Sequence, residues 1–188
     1  MDFCIRIFIF LSWSQNIIAN ITPIQGYGLI TTDKEYTTHL SSHYSGIISH
    51  VYFKEGDYIK KGSTFASLEK SNGFNHFHFK SPLDGTIIEN ASTQGQMIQK
   101  GDIIATITDL KHLWSIFNIH NKYSNKIQKN MIIKISDLGK KNIYSSKIIY
   151  ISPILKDQTQ TFEVITKIEN PHHIWTPNQF VHGSITGV

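Results

Sequence analysis

Arginine is almost missing from this chain: Arg6 is the only one, and every other cation is lysine. Nucleic-acid readers depend on the flat guanidinium fork for bidentate contact with guanine or phosphate. The net charge of +4 and pI of about 9.0 therefore point to a local basic patch and to no nucleic-acid partner. Cysteine is as scarce. Cys4 stands alone, which excludes an intrachain disulfide and a thiolate zinc site. No run of about 18 apolar residues occurs, so no bilayer-spanning helix is expected. Neither a glycine-rich phosphate loop nor a Gly-x-Ser-x-Gly nucleophile motif is present. Asp84 and Asp109 read as turn residues and not as a catalytic pair, so the chain is expected to be no enzyme and to carry no cofactor.

Alanine and leucine are also few, whereas Ile, Tyr, Phe and Thr abound, which favours an all-β fold. A hydrophobic share of 40% suffices for a buried core. The 188 residues fit one ordinary domain or two small ones in series. The apolar tract at residues 7–13, behind Arg6, makes residues 1–19 a candidate signal peptide cleaved near Ala19. Asp2 and the missing Ala-x-Ala also fit a mis-assigned start that reads through an upstream strand.

The middle of the chain repeats itself. Residues 46–62 and 85–101 align at an offset of 39, with Gly46, Gly56 and Gly62 matched by Gly85, Gly95 and Gly101. Ile59 matches Ile98, Lys61 matches Lys100 and Ala66 matches Ala105. Each half reads as short strands joined by turns, with the six glycines as structural turn residues. Asp57 and Asp102 flank those turns, where their carboxylates can bond local backbone. Two such halves can interlock as a sandwich that buries Ile47, Val51, Ile59, Leu68, Ile87, Ile98, Ile104 and Ile107.

This pattern resembles the lipoyl/biotinyl-type domain: Glu55-Gly56-Asp57, then Ser81-Pro82-Leu83-Asp84-Gly85, then Gly95-Gln96-Met97-Ile98. Carrier domains place a modified lysine at the tip between the halves. Here Asn72-Gly73 forms the candidate turn, with Lys70 and Lys80 only on its flanks, so a carrier stays as the alternative reading. The flanks resemble periplasmic adaptors (membrane-fusion proteins) of RND-type, heavy-metal-like efflux systems. The matching stretches are residues 28–33, 108–116, 147–161 and 169–181.

The resemblance implies a lipoyl-like β-sandwich (a barrel-sandwich hybrid) at 41–108. It also implies a small β-barrel with one short helix at 109–188, and a first barrel strand and linker at 24–40. It implies a periplasmic location against the inner membrane, an inner-membrane efflux transporter as partner, other adaptor subunits, and export of metal cations. Adaptors usually insert a long helical hairpin between the sandwich halves, and the connector here is far too short for one. Outer-membrane channel contact is therefore doubtful, and a non-functional adaptor fragment is a further alternative.

Read from its own residues, the stretch after Leu113 alternates apolar and polar residues, as strands of a small barrel do. Tyr123, Ile127 and Met131 share one helical face, which places the short helix near 122–129, with Asn130 suited to end it in the left-handed conformation. Pro153 and Pro177 should lie at strand ends or in loops. Trp114 and Trp175 suit barrel core or inter-domain packing. Among ten histidines, His76 and His78 are the metal candidates, since i and i+2 share a strand face. A firm site wants three or four ligands, so exposed polar histidines are the favoured reading. Lys122, Lys126, Lys129, Lys140 and Lys141 form a candidate partner or membrane patch, weighed against a plain solvated face.

Overall fold

Alternation of apolar and polar residues dictates strands over most of the chain, and a computed structural model, which describes residues 22–70 and 76–186, contains fourteen of them. The candidate signal peptide and the Asn72-Gly73 turn lie outside the described residues. In the first unit the strands are β2 (Thr37–Ser41), β3 (Gly46–Val51), β4 (Tyr58–Ile59), β5 (Thr64–Lys70), β6 (His76–Lys80), β7 (Gly85–Asn90), β8 (Met97–Ile98) and β9 (Ile103–Thr108). They form two four-stranded sheets in the orders β2-β9-β7-β4 and β6-β5-β3-β8.

The repeat explains the topology. β4 of the first half pairs with β7 of the second, and β8 of the second pairs with β3 of the first. Each half thus lends a two-residue strand to the other's sheet. The turns are tied reciprocally as well: Gly62 N donates to Ser81 O and Gly101 N to Ser42 O, both at 2.7 Å. Gly56 N donates to Ile87 O and Gly95 N to Ile48 O, both at 2.8 Å. Apolar side chains from both halves fill one core: Ile48, Ile59, Phe65 and Leu68 meet Ile87, Ile98, Ile104 and Ile107.

Two expectations need correction here. Ile47 is 45% exposed and Val51 only half-buried, while Ile48 is fully buried. The buried Ile87 matches Ile48 at the 39-residue offset, so the repeat itself carried the right assignment. Gly46 and Gly85 are not turn residues but open β3 and β7. They are glycine because a Cβ would strike the carbonyl oxygens of Glu69 and Thr108 on the neighbouring strands. Gly56, Gly62, Gly95 and Gly101 have φ between 83° and 99°, the left-handed region where a side chain is strained.

The second unit is a closed six-stranded barrel in the order β1-β10-β13-β12-β11-β14. Its strands are β1 (Ile24–Thr32), β10 (His112–His120), β11 (Ile132–Asp137), β12 (Ile143–Lys156), β13 (Thr161–Glu169) and β14 (Phe180–Ile185). Closure satisfies edges that would otherwise stay unpaired. Ile30, Leu113, Phe117, Ile133, Ile135 and Ile148 are fully buried inside it.

The short helix is a 3-10 turn at Asn121–Lys126, capped by His120 and followed by extended Ile127. It ends before the expected residue 129, yet Tyr123, Ile127 and Met131 still pack on the barrel core. Asn130 is left-handed at φ 71°, in the loop beyond the helix. A second 3-10 turn covers Lys34–Tyr36. Pro153, expected at a strand end, lies within β12, where the pairing with β13 slips between Ile151 and Leu155. A bulge of that kind tolerates the missing N–H. Trp175 joins the barrel core, and Trp114 is half-buried on the outer side of β10.

Candidate functional site

The chain crosses between sandwich and barrel twice, and side chains knot the two crossings together. The first crossing is the 3-10 turn before β2; the second runs from Thr108 to His112. Asp109 N donates to Tyr36 O at 3.0 Å, and the Thr37 and Thr108 hydroxyls meet at 2.8 Å. The Tyr36 and His112 rings stack with centroids 4.0 Å apart. His112 also faces two carboxylates, with Nδ1 3.0 Å from Glu169 and Nε2 3.9 Å from Asp109.

Lys167 on β13 completes the junction. Its Nζ lies 2.8 Å from Glu35 Oε2 and 3.6 Å from Asp33 Oδ2. The hydrogen bond to Glu35, aided by the nearby Asp33 charge and opposed by desolvation, raises its pKa above the ordinary 10.5. Asp33 is 1% exposed, and its other oxygen accepts from Glu35 N at 2.9 Å. The links of Lys167 to Asp33 and Glu35, of His112 to Tyr36 and Glu169, and of Thr37 to Thr108 join residues far apart in sequence, so the patterns that reveal strands carry no sign of them.

At the opposite end of the sandwich, His76 and His78 lie on one exposed face of β6. His78 Nδ1 is 2.8 Å from Ser67 Oγ, which is in turn 3.2 Å from the Tyr52 hydroxyl. His39, at the matching position of the repeat, meets Thr106 Oγ1 at 3.0 Å. His76 sits across from Glu69 in the strand register. Among the described residues, no three His, Cys, Asp or Glu side chains are grouped to hold a metal ion.

Of the two lysines flanking the tip, Lys70 lays its ammonium over the Tyr44 ring, 3.6 Å from the centroid. Lys80 ends β6, at the far end of that strand from the connector. Asp57, Asp84, Asp102 and Asp109 each accept from a nearby backbone N–H, of Lys54, Lys61, Gln99 and Lys111 respectively.

The five lysines do not form one patch. Lys122, Lys126 and Lys129 precede β11, and Lys140 and Lys141 follow it. A strand of that length sets the groups roughly 20 Å apart. The first group occupies the barrel end away from the sandwich, and the second the shoulder next to it. Beside Lys141 a groove of about 560 Å3 opens between the start of β12 and the β13–β14 loop. Composition did not point to it, because its exposed Ile143 and Ile174 look like ordinary strand and loop residues. A second recess of about 550 Å3 separates Glu55 and Gly56 of the sandwich from Thr176, Pro177 and Asn178 of the barrel.

Comparison with known proteins bears on this arrangement. Residues 37–110 match the family model described as RND MFP, barrel-sandwich hybrid domain. The cobalt-zinc-cadmium resistance protein CzcB of Cupriavidus metallidurans is 22% identical over 128 residues, 68% of this chain and 25% of that protein. The chain thus matches about a quarter of that relative's length. The putative efflux system component YhbJ of Bacillus subtilis is 36% identical over 75 residues, 40% of this chain and 33% of that protein. The crystal structure of ZneB from Cupriavidus metallidurans superposes with a TM-score of 0.75, over 89% of this chain and 99% of that one, at 13% identity. That last likeness establishes the shared fold.

Proposed function

We propose that this chain, whose residues 37–110 are the barrel-sandwich hybrid domain of an RND membrane-fusion protein, is the periplasmic adaptor of a tripartite efflux system. In this reading it is a scaffold and not a catalyst. It sits against the inner membrane and links an RND-type transporter to the rest of the export assembly, with metal cations as cargo. The sandwich, from β2 at Thr37 to the end of β9 at Thr108, and the barrel that follows it, completed by β1 (Ile24–Thr32), serve as two docking units in series. The observation that carries the reading is this order of units, with the family match on the sandwich and β1 threaded back into the barrel.

Only five residues separate β5 from β6, where a helical hairpin would have to emerge. The chain is therefore proposed to depend on other adaptor subunits for contact with an outer-membrane channel. Among the described residues no helix is long and apolar enough to cross a membrane. The lysines at the barrel end away from the sandwich are proposed to face the anionic surface of the inner membrane.

The test is crosslinking in the native host, followed by deletion of the gene. Recovery of an RND transporter, together with sensitivity of the deletion strain to zinc, cobalt or cadmium, is the expected result. A lipoyl or biotinyl mass on Lys70 or Lys80, with no transporter recovered, would overturn it in favour of a carrier.

A further inference from the structure

His112 stands where the two crossings meet the barrel, and three groups address its ring. Tyr36 of the first crossing stacks on its face at 4.0 Å. Glu169 at the end of β13 lies 3.0 Å from Nδ1, and Asp109 of the second crossing lies 3.9 Å from Nε2. Asp109 in turn holds both crossings. Its N–H donates to Tyr36 O at 3.0 Å, and its other carboxylate oxygen accepts from Lys111 N at 3.0 Å. The His112 side chain is 28% exposed, so solvent protons reach it.

The two carboxylate distances differ in kind. Nδ1 at 3.0 Å makes a hydrogen bond, which puts the single proton of the neutral ring on Nδ1. Nε2 then turns a lone pair towards Asp109, and at 3.9 Å no bond joins them. A second proton changes this. Imidazolium donates from both nitrogens, so Nε2–H meets Asp109 with opposite charge, and the Tyr36 ring face attracts the cation. The other charges nearby are already engaged or lie to the side. Lys167 on β13 is taken up by Glu35 and Asp33 of the first crossing, and the Tyr144 hydroxyl meets Glu169 N. Lys34 and Lys111 are the remaining cations of the two crossings, and Thr31 and Thr32 of β1, beside β10, carry no charge.

We propose that His112 is a proton-operated latch on the junction between sandwich and barrel. Protonation closes the gap to Asp109, which fastens the second crossing to the barrel wall and, through the Asp109 N–H, the first crossing with it. Falling pH favours whichever arrangement holds the proton more firmly, and that is the fastened one, with two carboxylates on the ring. Both carboxylates are partly exposed, so the proton biases orientation and leaves global stability nearly level. The inference rests on the junction alone and holds whatever the chain docks to.

Spin labels at Lys60→Cys on the sandwich and Ser145→Cys on the barrel, both exposed positions, report the relative orientation of the two units in the full chain carrying Cys4→Ser. Between about pH 8 and about pH 5, the span in which imidazoles gain a proton, the distance distribution should narrow by about a third. His112→Phe keeps an aromatic partner for Tyr36 but takes up no proton, so its distribution should ignore pH. Asp109→Asn keeps an oxygen for Lys111 N and should lose most of the response. Raised salt should blunt the wild-type response, because the pairs face solvent. Thermal melts establish that each variant is folded. A wild-type distribution unmoved by pH, equal narrowing in His112→Phe, or undiminished narrowing in Asp109→Asn would each overturn the proposal.

Discussion

Tyr36 and His112 stack across the two crossings between sandwich and barrel, their centroids 4.0 Å apart and their planes 26° apart. One ring belongs to each crossing, so the stack resists rotation of one unit against the other. Aromatic pairs of this kind contribute about 0.5–1.5 kcal/mol beyond their burial. Tyr36→Ala should therefore lower global stability by no more than about 2 kcal/mol while loosening the relative orientation. Spin-label distances between a sandwich site and a barrel site should broaden clearly in the variant. An unchanged distribution would mean that the paired backbone alone fixes the junction.

Lys167 offers a pH test with a definite sign. Its pKa is raised above 10.5 by the hydrogen bond to Glu35 and by the Asp33 charge, against desolvation. A group whose folded pKa is raised contributes stability that is fully present below its unfolded value and is lost as pH climbs through the folded one. Denaturant midpoints should thus be level through neutral pH and fall only above about 10.5, more steeply in wild type than in Lys167→Gln. Glu35→Gln should flatten the difference, because it removes the first cause of the shift.

Ile47 and Ile48 are adjacent and chemically identical, but only Ile48 is buried. Ile48→Ala should cost about 2–5 kcal/mol, the range for an isoleucine emptied from a core. Ile47→Ala should stay within about 0.5 kcal/mol, as exposed sites do. Thermal or urea denaturation of the two variants separates them directly. The same pair marks what was legible in the sequence. The 39-residue repeat located Ile59, Leu68, Ile98 and Ile107 in the core because glycine spacing and strand alternation are local signals. It also aligned Ile48 with Ile87, a correspondence more telling than alternation judged from one half alone. The 3-10 turn at Asn121–Lys126 was foreshadowed by the shared face of Tyr123, Ile127 and Met131, though nothing in that spacing separates a 3-10 turn from an α-helix. The Lys167–Glu35 pair and the Tyr36–His112 stack were not legible, because loop conformation and long-range closure create them.

Glycine acts by two different mechanisms in the two halves of each repeat. At Gly56 the backbone is left-handed and a Cβ would meet nothing within 4 Å, so Gly56→Ala should cost only the left-handed penalty of about 1–2 kcal/mol. At Gly46 a Cβ would drive into the Glu69 carbonyl, on a strand that cannot retreat without breaking its ladder. Gly46→Ala should cost about 3 kcal/mol or more, the upper end of overpacking, and Gly85→Ala should behave alike against Thr108. Equal losses at Gly46 and Gly56 would show that the close approach relaxes easily.

Metal binding at β6 should be weak, and the geometry says why. His76 and His78 share an exposed strand face, which lets both imidazoles reach one ion. The strand register puts Glu69 opposite His76, but the three are not arranged as a ligand set. Ser67 holds Nδ1 of His78 at 2.8 Å, so that ring has only Nε2 to offer, and using it requires Nδ1 to carry the proton. A site of two imidazoles leaves most of the coordination sphere to water, whereas firm zinc sites use three or four protein ligands. Isothermal titration with Zn²⁺ should accordingly give micromolar affinity at best, reduced further in His78→Ala. Ser67→Ala removes the group that fixes the tautomer and orientation of that ring and should weaken the affinity further, as loss of an outer-shell partner does. A stoichiometric nanomolar site abolished by His76→Ala would instead require a ligand set that the exposed face of β6 does not supply.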